Sequence, residues 1–166
     1  MEKKTKVSLL AIQIGSEIAN VEANILKVEK LLEENLSQKV ADFVFLPEVW
    51  TCGWDCVSFP LCAEELENAK SINMLKRIAK KYQVNIIGGS IIEKKDDGTL
   101  RNTCPVINKE GNLVCTYEKN HLFSYYGCAE GDYIKAGSTP VMAELDGIKI
   151  GLTICYDIRF PEIYRA

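Results

Sequence analysis

Apolar residues in the first half of the chain follow the periods of buried strands and amphipathic helices. Residues 7–14 form a continuous apolar run of strand length, which predicts a strand buried on both faces. In residues 18–32, apolar positions recur every three or four residues, which predicts a helix. Residues 41–46, 64–82 and 84–92 then read as a strand, a helix and a strand. This β-α-β-α-β order predicts an α/β fold.

The second half of the chain is typical of hairpins. The turn signals Asp97-Gly98 and Glu110-Gly111-Asn112 flank strand-like runs at 100–108 and 112–118. Residues 119–138 are irregular, and a connection of that length is often functional.

A final hairpin is specified by its turn, its apolar face and a charge pair. Asp146-Gly147 is a type I′ turn signal, and a strand is predicted over 148–154. A two-residue turn would also place oppositely charged side chains across the two strands. The predicted pairs are Leu145 with Ile148, Ala143 with Ile150, Val141 with Leu152, and Glu144 with Lys149.

Composition and charge narrow the functional class. The 166 residues suffice for one domain, and 47% apolar and 26% charged residues are typical of a globular protein. A net charge of −3 argues against a nucleic-acid-binding protein. The N-terminus is basic and then apolar, but its apolar run is too short for a signal peptide and no cleavage site follows it. No segment is long and apolar enough to predict a membrane span. We expect a cytoplasmic protein that binds neither nucleic acid nor membrane.

Seven cysteines occur without any C-x-x-C spacing, and His121 is the only histidine. These features argue against zinc-finger and thioredoxin-like sites. In a reducing compartment we expect free thiols, most of them small core residues and one or two of them reactive.

Three residues stand where chemistry is plausible. Cys155 follows the predicted strand 148–154 at the start of a predicted helix, where free N–H groups and a depressed thiol pKa would favour a nucleophile. Glu48 ends an apolar strand, and Lys119 opens the irregular segment. Taken singly, each also has a plain structural interpretation: a buried cysteine, a loop glutamate and a solvated lysine.

Three blocks together resemble the signatures of the nitrilase superfamily. They are Phe-Leu-Pro-Glu-Val-Trp-x-x-Gly at 45–53, Tyr-Glu-Lys-x-His-Leu-Phe at 117–123 and Cys-Tyr-Asp-Ile-Arg-Phe-Pro-Glu at 155–162. Their order matches the superfamily, and the nearest resemblance is to its Nit-type branch of omega-amidases. The resemblance implies an α-β-β-α sandwich and an enzyme that commonly forms homo-oligomers.

The resemblance also implies a set of site residues. It assigns a catalytic triad of Glu48 as base, Lys119 as oxyanion-stabilising cation and Cys155 as nucleophile, with Glu130 as a supporting glutamate. The backbone N–H of Tyr156 would join Lys119 at the oxyanion. A small omega-amide would then be hydrolysed to acid and ammonia through a thioester, and no metal or organic cofactor is required.

Several residues keep two interpretations. His121 could form a Cys–His dyad, although the local signatures of such proteases are absent. Arg159 could bind a substrate carboxylate, or it could pair with Asp157 or Glu162. The tryptophans Trp50 and Trp54 could line a pocket or pack in the core or at its rim.

Members of the superfamily continue well past the cysteine block. We therefore interpret residues 1–166 as the N-terminal part of a single carbon–nitrogen hydrolase domain whose C-terminal part is absent. Two alternatives to an active hydrolase stay open. One is a non-catalytic fragment that binds a complementary chain, and the other is a redox-responsive thiol protein with a reversible disulfide at Cys155.

Overall fold

The computed structural model describes residues 6–38, 41–125 and 127–165, which form a layered α/β structure. Short 3-10 helices cover Cys56–Ser58, Glu130–Asp132, Cys155–Arg159 and Pro161–Tyr164. The other elements, in chain order, are β1 (Leu9–Ala11), α1 (Val21–Leu36), β2 (Phe43–Phe45), α2 (Phe59–Cys62), α3 (Lys70–Tyr82), β3 (Asn85–Ile87), β4 (Ile91–Lys94), β5 (Leu100–Ile107), β6 (Leu113–Glu118), β7 (Ser124–Tyr125), β8 (Cys128–Ala129), β9 (Met142–Leu145) and β10 (Ile148–Gly151).

In the part of the chain that the structure describes, the main sheet is mixed and has six strands. β1, β2 and β3 pair in parallel, and β5 then pairs antiparallel with β3, β4 and β6. The prediction that the first strand is buried on both faces is wrong. Within the described residues β1 pairs only with β2, and Leu9 is 61% exposed because β1 lies at the sheet edge.

One face of the sheet is covered by α1 and α3. Their apolar stripes, including Val28, Leu32, Leu75 and Ile78, pack on Val44 and Ile86 and other sheet residues in one core. The two helices also exchange surface ion pairs at a constant sequence separation, so they run in the same direction. These pairs are Glu22 with Lys70, Glu29 with Arg77, and Glu33 with Lys81. Because they are exposed, apolar burial contributes more to the packing than these charges do.

The opposite face of the sheet packs on the hairpin β9–β10. Apolar residues of β2, β3, β5 and β6 form a second core with Ala143, Leu145, Leu152 and Ile154. The pairs Leu145–Ile148, Glu144–Lys149 and Ala143–Ile150 confirm the predicted register. The fourth predicted pair lies beyond the ladder, where Leu152 N donates to Val141 O at 3.0 Å. Helices, sheet and hairpin thus form three successive layers.

A bulge divides the strand predicted over 84–92. β3 and β4 pair with the same edge of β5, but the register slips by one residue between them. Gly89 lies in this break with a φ of +60°, and a Cβ there would come within 2.0 Å of Pro47 O. The glycine therefore lets the loop after β2 pass directly against the bulge.

The cysteines are only partly as expected. Cys52, Cys62 and Cys104 are buried free thiols, and Cys155 is free and exposed. The expectation that all thiols are free is wrong for one pair: Cys56 and Cys128 form a disulfide. Seventy-two residues separate them, so only the tertiary fold brings them together.

Candidate active site

Glu48 lies in a tight turn after β2, and the bulge between β3 and β4 holds that turn. Ser90 N donates to Pro47 O at 3.1 Å, and Ser90 Oγ accepts from Val49 N at 3.0 Å. Val49 has a φ of +40°, a conformation that costs free energy for a β-branched residue. The backbone on both sides of Glu48 is therefore fixed.

Lys119 extends from the end of β6 into the same region. Its backbone N–H continues the ladder by donating to Asn102 O at 2.9 Å. The side chain is fully buried, and Nζ lies 2.7 Å from Glu48 Oε1 and 2.8 Å from Glu130 Oε2. The Trp54 ring centroid is 5.2 Å from Nζ. A buried cation needs such partners, and here it has two carboxylates and an aromatic face.

Glu130 is placed by the loop that follows Lys119. It begins the 3-10 helix Glu130–Asp132 and is fully buried. Its Oε2 accepts from Phe123 N at 2.6 Å, and its own N–H donates to Phe123 O at 3.0 Å. Glu130 and Lys119 are eleven residues apart in sequence, yet the loop folds back to pair them.

Asn102 is the residue that sequence reasoning missed. Its Nδ2 donates to Glu48 Oε1 at 3.0 Å and to Glu130 Oε1 at 3.4 Å. The signal was present in the pattern of β5, where Asn102 precedes Cys104 and Val106 on one buried face. A polar side chain continuing a buried apolar face is a candidate site residue.

Cys155 follows the hairpin at a strained position. The predicted strand 148–154 ends at Gly151, and Cys155 begins a 3-10 helix with a φ of +45°. Among the described residues the Tyr156 N–H has no hydrogen-bond acceptor. A cleft of about 220 Å³ lined by Glu48, Thr153 and Cys155, among others, opens at this point. Positive φ in a non-glycine residue is typical of functional sites.

A buried carboxylate stabilises the turn around Cys155. Asp157 Oδ2 accepts from Ile154 N at 2.9 Å and from Tyr117 Oη at 2.6 Å. Its Oδ1 accepts from His121 N at 2.9 Å and lies 2.7 Å from His121 Nδ1. Asp157 therefore ties β6 and the loop after it to both sides of the strained cysteine.

The charges around Cys155 make its thiol a weaker acid. Partial desolvation, and then the Glu48 carboxylate, raise the pKa of Cys155 from 9.0 to about 11, and Lys119 offsets only part of this effect. The expected depressed thiol pKa is wrong because desolvation, together with two nearby carboxylates, outweighs the single cation. Burial alone would lower the pKa of Lys119, but Glu48 and Glu130 raise it overall, which keeps the ammonium charged.

The remaining candidates lie at the rim or outside the site. Arg159 is exposed and forms no ion pair with Asp157 or Glu162 in the described structure, so its substrate role stays a prediction. His121 bonds to Asp157 and stacks on Phe160 at 3.7 Å. These contacts give it a structural role.

The two tryptophans have separate environments. Trp50 is fully buried in the helix-side core, and its Nε1 donates to Gly88 O at 2.9 Å. Trp54 is 41% exposed and lies over the buried cation.

A larger cavity lies elsewhere in the described structure. It measures about 750 Å³ and is lined mainly by charged residues of the 65–68, 93–101 and 113–116 segments. None of the four predicted catalytic side chains lines it. We take the smaller cleft as the candidate site because Glu48 and Cys155 line it.

A family comparison agrees with this geometry. The sequence profile of the carbon-nitrogen hydrolase family matches residues 8–166. The chain belongs to the carbon–nitrogen hydrolase family. The structure of this carbon–nitrogen hydrolase is similar to the crystal structure of Saccharomyces cerevisiae Nit3, a member of branch 10 of the nitrilase superfamily. The TM-score is 0.85 and the sequence identity is 25%, and the match covers 95% of this chain and 58% of the Nit3 chain. Both findings confirm the predicted nitrilase-type fold class.

Two curated relatives are similar in sequence. A 2-oxoglutaramate amidase from Bacillus subtilis is 37% identical over 96% of this chain and 60% of its own length. A chloroplastic omega-amidase from Arabidopsis thaliana is 39% identical over 84% of this chain and 40% of its own length. This carbon–nitrogen hydrolase chain therefore spans roughly half the length of the relatives it matches.

Across the described ranges, the helices are too short or too polar to cross a membrane. In the same ranges, His, Cys, Asp and Glu side chains do not cluster in threes that could hold a metal ion.

Proposed function

We propose that this chain carries the reacting groups of an amidase that hydrolyses a small omega-amide to an acid and ammonia. One observation carries the proposal: the buried Lys119 ammonium is fixed between the Glu48 and Glu130 carboxylates, and Glu48 lies close enough to the Cys155 thiol to raise its pKa. Glu48 and Cys155 line the same cleft. This arrangement brings a nucleophile, a base and a cation together.

In the acylation step Glu48 takes the thiol proton as Cys155 Sγ attacks the amide carbonyl carbon. A thiol with a pKa near 11 is almost wholly protonated at neutral pH, so this transfer accompanies the attack. The carbonyl π electrons move to oxygen. Two of the three Lys119 protons bind carboxylates, so the third is available to the oxyanion together with the Tyr156 N–H.

Collapse of the tetrahedral intermediate breaks the carbon–nitrogen bond. Glu48 returns its proton to the leaving nitrogen, ammonia departs, and a thioester to Cys155 remains. Water then gives a proton to Glu48 and attacks the thioester carbon. The carbon–sulfur bond breaks, the thiol regains the proton, and the acid leaves.

In the same proposal, the surrounding residues hold these groups in place. Glu130 anchors the Lys119 ammonium, because its own carboxylate is fixed by Phe123 N and Asn102. The names of the two amidase relatives favour a short omega-monoamide as substrate. Arg159, which is exposed, would then bind a substrate carboxylate, and assembly into homo-oligomers belongs to the same proposal.

The test is ammonia release from a panel of short omega-monoamides by the purified chain. Cys155→Ala is the blank, and circular dichroism verifies folding of both proteins. We expect ammonia that depends on Cys155, with mass spectrometry detecting an acyl adduct on that residue in rapidly quenched samples. A folded chain that releases none would contradict the proposal and favour the partner-binding alternative.

A further inference from the structure

Asn102 occupies a position between the two carboxylates that the proposed mechanism does not yet use. Its side chain is almost fully buried, at 1% exposure, in the middle of the sheet. The amide Nδ2 reaches both Glu48 Oε1 and Glu130 Oε1, at 3.0 and 3.4 Å. One neutral side chain thus contacts both acids that hold Lys119.

These contacts select one oxygen of Glu48. Lys119 Nζ also binds Oε1 of Glu48, at 2.7 Å, so that oxygen receives two donors. Within the described residues, Oε2 of Glu48 receives no hydrogen bond from nitrogen or a hydroxyl group, and Glu48 and Cys155 line the same cleft. Two donors on one oxygen restrict rotation of the carboxylate and leave the other oxygen for proton transfer.

The charge count favours an amide here. Glu48 and Glu130 contact Lys119 beside the Cys155 thiol, and the charged neighbours on β4 and β5 are paired with other residues. There Glu93 binds Thr103 and Lys95, and Arg101 approaches Glu118. A second cation would weaken the base, and a third carboxylate would repel it, whereas an amide donates without charge.

We propose that Asn102 is a positioning residue that orients the Glu48 carboxylate for proton transfer with Cys155. The inference rests on the proposed function, in which Glu48 is the base. It assigns Asn102 no contact with the substrate. Its effect should therefore fall on kcat rather than KM.

The test compares Asn102→Leu and Asn102→Asp with wild type. Both replacements are similar in size to asparagine: leucine removes the hydrogen-bond donor, and aspartate in its ionised form replaces the donor with an acceptor and a negative charge. Asn85→Leu is the matched control, because Asn85 is also buried in the sheet but binds Asp146 and Lys109 N away from the cleft. Asn102→Thr, which keeps one donor, serves if the leucine variant does not fold.

Two readouts keep this inference separate from the proposed function. Iodoacetamide alkylation of Cys155, followed by peptide mass spectrometry across pH, needs no catalysis. We expect Asn102→Leu to react faster than wild type at pH 8, by up to about tenfold, because a Glu48 carboxylate that is no longer held in place opposes the Cys155 thiolate less. We expect Asn102→Asp to react more slowly, because it adds a negative charge near the thiol. With active protein, we expect kcat to fall about tenfold and KM to change less than about twofold, with Asn102→Thr intermediate.

Each outcome decides one claim. For Asn85→Leu we expect an alkylation profile that overlays wild type and a lower melting temperature. The same result for the Asn102 variants would overturn the positioning role and leave Asn102 a packing residue. An unchanged kcat in active variants would do the same. Altered alkylation profiles in a chain that releases no ammonia would support the positioning role and count against the proposed amidase activity.

Discussion

Replacing Glu48 by glutamine should make Cys155 more reactive toward alkylation while it abolishes hydrolysis. Desolvation and the Glu48 carboxylate together raise the thiol pKa from 9.0 to about 11. Glutamine keeps the shape of Glu48 and removes its negative charge. The neighbouring Lys119 ammonium then stabilises the thiolate with only Glu130 opposing it. The thiol pKa should therefore fall toward 9.0, but it should stay above that value because desolvation persists.

The magnitude follows from the thiolate fraction. Below its pKa, the thiolate population of a thiol increases tenfold for each unit by which that pKa falls. If Glu48 contributes about half of the upward shift, Glu48→Gln should alkylate about tenfold faster at pH 9 than wild type. Ammonia release should fall by at least about a hundredfold, because no base remains to accept the thiol proton.

The assay is the rate of iodoacetamide modification at the Cys155 peptide between pH 6 and 11. Glu34→Gln is the matched control, because Glu34 is an exposed carboxylate on α1, and it should follow the wild-type curve. An alkylation rate that is unchanged or slower in Glu48→Gln would refute the reasoning, since Glu48 would then not be the group that raises the thiol pKa.

Three further predictions concern stability. Lys119→Met should lower the free energy of unfolding, measured in urea, by about 3–5 kcal/mol, because Glu48 and Glu130 lose their buried cation. The control Lys30→Met, at an exposed ion pair, should change it by less than about 0.5 kcal/mol. Equal effects of the two substitutions would contradict the buried pairing. Gly89→Ala should lower the free energy of unfolding by at least about 3 kcal/mol, because the new Cβ would clash with Pro47 O. Gly98→Ala, also at positive φ but in open space, should lower it by about 1 kcal/mol. If the calorimetric melting curves of the two variants coincide, Gly89 does not lie as close to Pro47 as the structure shows. Asp157→Ala should lower the free energy of unfolding in urea by about 3 kcal/mol or more, because several hydrogen bonds are lost. Tyr117→Phe removes only one of these bonds and should lower it by about 1 kcal/mol. Equal losses in the two variants would contradict the central place of Asp157.

Local pattern predicted the elements better than it predicted their limits. The three-and-four spacing placed a helix near 18–32, and the structure has α1 at Val21–Leu36, because burial of one helical face is a local property of the sequence. The hairpin register also followed from Asp146-Gly147, since a two-residue turn fixes which residues face each other. The prediction of a single strand over 84–92 was wrong because the break at Gly89 depends on close contact with Pro47 in a distant loop.

The candidate residues were predictable from motif order, but their chemistry was not. Glu48, Lys119 and Glu130 were named from sequence, and the structure brings their side chains together. The sign of the thiol pKa shift was expected to be downward and is upward, because it depends on how many carboxylates the fold places near one cation. Asn102 lay outside every motif block, and the Cys56–Cys128 pair spans seventy-two residues.

The sequence by itself determined the α/β class, the order of the main helices and strands, the hairpin register and the identity of the main candidate site residues. These depend on periodicity, turn chemistry and residue type, which are local. Only the tertiary structure decided that β1 is an edge strand, that a bulge holds Glu48, and that Asn102 and Glu130 share the Lys119 site. Those outcomes depend on contacts between segments far apart in the chain, where packing and electrostatics act through space.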